Sequence, residues 1–100
     1  MIDGLKLTMS GTALRQQLAA RIQWHRSRVM EYQRELARQE VDDPSEVRLP
    51  EHIVEHMRDE HESRADVLAL IHEHILEAET YHLGRADLIF AELIPDPDAD

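Results

Sequence analysis

The sequence predicts an all-α protein: an antiparallel hairpin of two long helices, with a short C-terminal helix and an extended N-terminal arm. Three observations carry this expectation. Apolar residues recur at helical spacing from Leu14 to Leu36, and again from Ile53 to Ile75. Between these runs, Asp42-Asp43-Pro44-Ser45 breaks the pattern, and the gap is long enough for the second helix to return antiparallel. Residues 1–94 are expected to form one helical domain, with 1–11 as the arm, 41–49 as the inter-helix loop and 95–100 as an acidic disordered tail.

From Leu5 to Met9, apolar and polar residues alternate, as in a short strand or an extended arm that lays Leu5 and Leu7 on the helices. Ser10-Gly11-Thr12 offers N-caps for the first helix, expected from about Thr12 to Gln39. Its stripe is Leu14, Leu18, Ile22, His25, Val29, Tyr32 and Leu36, close to a heptad seam. Trp24 lies off that stripe. It either covers a neighbouring element or marks a dimer or partner contact.

Pro50 suits the first turn of the second helix, expected over Pro50 to Glu79. Its core-facing stripe reads Ile53, Met57, Val67, Leu68, Ile71 and Ile75, with Val54 at the margin. Glu60, His61 and Arg64 interrupt the stripe. In an antiparallel hairpin His25 comes near Arg64 to Leu68, so His25, Glu60 and Arg64 either form a partly buried polar cluster or reach solvent at the seam's edge. After Ala78 the pattern weakens, and Gly84 is placed for a left-handed cap. Residues 85–94 read as a helix with Ala86, Ile89, Phe90, Leu93 and Ile94 on one face. The alternative is a strand in which Ile89, Ala91 and Leu93 alternate, paired with Leu5–Met9.

The far side of the second helix is distinctive. Glu51, Glu55, Asp59, Glu62, Asp66, Glu73 and Glu77 share an arc about 80° wide. No Lys or Arg lies within it, and Arg58 sits at its edge. Like charges at i,i+4 each destabilise a helix by about 0.2–0.5 kcal/mol, and acids near a helix C-terminus oppose the dipole. The ridge is either a solvated face or a surface shaped to meet a cationic partner.

Composition narrows the classes. With 100 residues and 42% hydrophobic content, the chain supports one core. The absence of cysteine excludes disulfides, cysteine-based zinc sites and thiol nucleophiles. No apolar run is long enough for a membrane helix, and the N-terminus lacks the order of a signal peptide, so a cytoplasmic protein is expected. Net charge is −10 and unevenly placed. Residues 1–40 hold seven basic and four acidic residues, a net of +3, whereas residues 41–100 hold four and seventeen, a net of −13. The halves should attract, and the acidic total argues against direct binding to nucleic acid or anionic membrane.

Little here suggests catalysis. There is no Ser-His-Asp order with a nucleophile turn and no phosphate-cradling loop, and the exposed carboxylates would make poor acid–base pairs. No enzyme activity and no cofactor are expected. Six of the seven histidines lie between 52 and 82. His52, His56 and Asp59 stand on one flank as the candidate metal ligands, and Glu79-Thr80-Tyr81-His82 has the Glu-x-x-His form of di-iron bundles, though only once.

In size, in charge and in lacking a catalytic motif, the chain resembles the small acidic inhibitors made by phages and mobile elements, including anti-CRISPR proteins that block nucleic-acid-binding channels. The likeness is one of class and assigns no residue. It implies a non-enzymatic binding role in a prokaryotic cell, by steric block or charge mimicry. The expected partner is a basic, nucleic-acid-binding protein, met by the ridge from Glu51 to Glu77 and by Trp24. A homodimer joined through the helix seams and Trp24, and a His/carboxylate metal-binding bundle, are the alternatives.

Overall fold

A computed structural model of the chain describes residues 6–41 and 49–95. In chain order these form β1 (Lys6–Ser10), α1 (Gly11–Val41), α2 (Glu51–His74), β2 (Thr80–Gly84) and α3 (Arg85–Phe90). Two long helices pack against each other as an antiparallel hairpin, and a two-stranded ribbon and a short helix close its base. The expected behaviour of residues 1–5, 42–48 and 96–100 lies outside the described residues. None of the helices among the described residues is long and apolar enough to cross a membrane.

The N-terminal segment is extended, as expected, but it has a partner strand. β1 pairs antiparallel with β2, in a register that sets Lys6 against Gly84, Met9 against Tyr81 and Ser10 against Thr80. The expectation that Leu7 packs on the helices is corrected: Leu7 is exposed, and Met9 packs against the core instead. Leu7 stands two residues, about 6.6 Å, farther from the helix junction. At that junction Ser10 Oγ accepts the Ala13 N–H at 3.1 Å and caps α1. Gly11 N–H donates to Glu79 O at 2.8 Å. A Cβ on Gly11 would stand 1.8 Å from Leu76 O, so backbone meets backbone here and only glycine fits.

The core runs along the seam: Leu14, Leu18 and Ile22 from α1 meet Leu68 from α2 and Ile75 just after it, with Ala91 closing one side. On α2 the seam is rotated from the expected stripe. Val54 is fully buried, Ile53 is exposed and Val67 is only half-buried. Ile53–Val54 and Val67–Leu68 are adjacent apolar pairs, so periodicity alone allows either setting. The structure takes the second member of each pair.

α2 ends at His74, one turn short of the expected Glu79. Arg15 explains the stop: its Nη1 donates to His72 O at 3.0 Å and to Ile75 O at 2.9 Å, placing a cation on the last carbonyls. Ile75 turns extended, and the Leu76 N–H donates to the Tyr81 hydroxyl. Pro50 takes the N-cap position, one residue before the first turn.

Residues 85–90 are helical, which resolves the helix-or-strand alternative; the strand lies just before, at Thr80–Gly84. The expected apolar face is corrected as well. Leu88 and Ala91 are buried, whereas Phe90 is exposed. Gly84 is extended (φ −83°, ψ 177°) rather than left-handed, because it belongs to β2. The left-handed residue is Glu92, at φ 61°. Leu93 N–H donates to Leu88 O, and Glu92 N–H to Ile89 O. This is the Schellman pattern, with glutamate where glycine is usual.

Candidate functional site

The acidic ridge is present on the surface. Glu51, Glu55, Asp59, Glu62, Asp66 and Glu73 all project from α2 and all are exposed. Asp59 is paired with Arg58, at 3.0 Å. Among the described residues the other five form no ion pair with the protein's own cations. From Glu51 to Glu73 the line extends about 33 Å at 1.5 Å per residue. Glu77 is exposed too, but it lies in the turn beyond α2 and is off the helical line. Of the acids Glu73, Glu77 and Glu79 expected to crowd the helix end, only Glu73 stands in the last turn of α2, where His72 and His74 flank it.

Trp24 is 42% exposed. The Arg21 guanidinium lies 4.0 Å from its ring centre, and the rings of His25 and His61 meet it edge-on at 4.9 and 5.3 Å. Trp24 thus forms the outer wall of a polar cluster.

That cluster is held by several short hydrogen bonds. His25 is buried in the middle of α1, only 4% exposed. Glu92 Oε1 accepts from His25 Nε2 at 2.7 Å and from Arg21 Nε at 2.6 Å, while Oε2 accepts from Arg64 Nε at 2.6 Å. Arg64 also donates to Phe90 O at 2.8 Å. Three elements are thereby tied through one carboxylate: α1, α2 and the turn after α3. Burial alone would raise the Glu92 proton affinity. The hydrogen bonds from Arg21, His25 and Arg64 outweigh it and hold the carboxyl at about 2, against an ordinary 4.5.

The expected trio of His25, Glu60 and Arg64 is corrected in one member. Glu60 faces solvent and pairs with His56 at 3.0 Å. The acid in the cluster is Glu92, and the α2 residue opposite His25 is His61, with Nδ1 atoms 2.8 Å apart. The hairpin register is offset by little more than a turn from that implied by a return at residues 41–50. His61 also stacks on Tyr32 at 5.8 Å. Sequence reading missed Glu92, yet a signal was there: it is the lone charge between Asp87 and Asp96, in an otherwise apolar run.

The candidate metal ligands do not converge. His56 is engaged with Glu60, and among the described residues no three His, Asp or Glu side chains gather as a metal-binding group. Glu79 lies in a turn and His82 on β2, so the Glu-x-x-His segment does not share a helix face. His82 Nδ1 instead lies 3.2 Å from the Thr8 hydroxyl. Comparison with protein-family models, curated proteins and solved structures finds no match to this chain, so its role rests on these residues and their geometry.

Proposed function

We propose that this chain is a non-enzymatic interaction module whose carboxylate ridge docks on the basic, nucleic-acid-binding surface of another protein and inhibits it. The observation that supports this reading is a line of exposed acids on α2, five of six of them without an ion pair among the described residues. From Glu51 to Asp66 neighbours stand roughly 5–6 Å apart, inside the Debye length of about 8 Å at physiological salt, and Glu73 follows two turns, about 10.5 Å, farther on. A cationic surface would therefore meet them as one extended charge. Six carboxylates over about 33 Å give roughly half the axial charge density of one DNA strand, at one phosphate per 3.4 Å. That is enough to compete for lysine and arginine side chains that otherwise hold phosphates. The ridge lies to one side of the seam rather than opposite it: Glu62 and Asp66 border a groove shared with Val29, Met30 and Ala65, while all six side chains remain exposed.

The test is a pull-down from a bacterial lysate, run with wild type and with Glu55, Asp59, Glu62 and Asp66 changed to Lys. The wild type recovers basic proteins in a salt-sensitive manner, and the variant loses them. Equal recovery by both removes the proposal.

A homodimer is the second reading. Beyond the His25–His61 level, Val54 is the only apolar residue fully buried among the described residues, while Met30, Leu49 and Ile53 are exposed. A second copy laid on that end would cover them. Light scattering distinguishes the two: a monomer at micromolar concentration rejects the dimer.

A further inference from the structure

His25 Nε2–H donates to Glu92, so with neutral rings His25 Nδ1 is an acceptor and His61 Nδ1–H donates to it. His61 Nε2 then carries a lone pair. One added proton fits this arrangement, because either ring can supply the hydrogen of the shared bond. A second puts N–H on both sides of a 2.8 Å gap and a positive charge on each ring. The surroundings favour no further charge. Arg21 and Arg28 approach from α1 and Arg64 from α2, opposed by Glu92 after α3 and by Glu60 on α2, while Tyr32 is uncharged.

We propose that the His25–His61 contact is an acid-sensitive latch: it stays closed while the pair holds at most one extra proton, and the second proton expels His61 from between Trp24 and Tyr32 and loosens the middle of α2 from α1. His61 resists protonation in the closed state. Its proton affinity is lowered below the ordinary 6.5, first by burial, then by His25 and Arg28, against weaker pulls from Glu60 and Glu92. His25 is anchored by Glu92, so the ring that moves is His61, whose side of the contact opens to solvent. Strain at Glu92 supports the same picture. A non-glycine residue is held left-handed at φ 61°, where its carboxylate fixes His25 in place. The latch is independent of the acidic ridge and of any partner.

Trp24 is the chain's single tryptophan and touches both rings, so its emission reports the contact directly. The test titrates the full chain from pH 8 to 5, following histidine ring signals by NMR and Trp24 emission in parallel. Two coupled steps are expected, the second below the ordinary histidine value, with the emission change confined to that second step. His61→Gln, whose amide can still donate to His25, loses the second step while circular dichroism shows the helices intact. Independent titration of His61 at its ordinary value overturns the latch, as does an unchanged emission transition in His61→Gln. Should that variant not fold, the wild-type ring titration decides by itself.

Discussion

Replacing Glu92 separates two opposing contributions at one residue. Its carboxylate accepts from Arg21, His25 and Arg64, and its backbone sits at φ 61°. A carboxyl moved from 4.5 to about 2 by folding has its charged form stabilised by about 3 kcal/mol. The side chain is 16% exposed, so solvent screening removes little of this. Holding a non-glycine residue left-handed costs about 1 kcal/mol. Glu92→Gln keeps the backbone strain and loses the charge, and should destabilise by about 3 kcal/mol. Glu92→Gly loses the same contacts but relieves the strain, and should destabilise by only about 2 kcal/mol. Urea unfolding at pH 7 reads both. With a slope near 1.5 kcal/mol/M, the midpoints fall by about 2 M and 1.3 M. The Glu92→Gln deficit should shrink as pH falls from 4.5 toward 2, where the wild-type carboxyl also becomes neutral. A Glu92→Gln protein within about 0.5 kcal/mol of wild type, or a Glu92→Gly protein less stable than Glu92→Gln, would refute the reasoning.

Three further outcomes follow from the packing and the charges. Gly11→Ala forces a Cβ into the Leu76 carbonyl and should cost more than the roughly 1–3 kcal/mol of ordinary overpacking, visible as a lowered melting temperature. Val54→Ala should cost about 2 kcal/mol, and Ile53→Ala less than about 1 kcal/mol; the reverse order in urea unfolding would mean that α2 is rotated to the setting with Ile53 in the seam. Stability of the wild type should fall in two acid stages. The His61 contribution is whole above pH 6.5 and is lost as pH drops through that ring's lowered value, whereas the Glu92 contribution is whole above 4.5 and fades on the approach to 2.

The two long helices were legible because each carries its apolar residues at a 3.6-residue period over several turns. What periodicity cannot fix is rotation by one residue where apolar neighbours are adjacent, and α2 differs from expectation at Ile53–Val54 and Val67–Leu68 for that reason. Long-range contacts decided the remaining differences. The end of α2 depends on Arg15, some sixty residues away, and β2 forms because β1 lies beside it, although Thr80–Gly84 alternates too weakly to announce a strand. The ridge was readable because its charges lie on one helix. The Glu92 cluster was only half readable: His25 on the apolar stripe and Arg64 opposite it signalled a polar contact, but the acid that completes it comes from a separate element.

The role proposed for the ridge is tested most directly by displacement. Basic proteins of a bacterial lysate are loaded on DNA-cellulose, and the chain is added at constant pH 7.5 and ionic strength. The wild type should release bound proteins in proportion to its concentration, and less so as salt is raised, while the variant with Glu55, Asp59, Glu62 and Asp66 changed to Lys should release none. No release by the wild type, or equal release by both, would contradict the account.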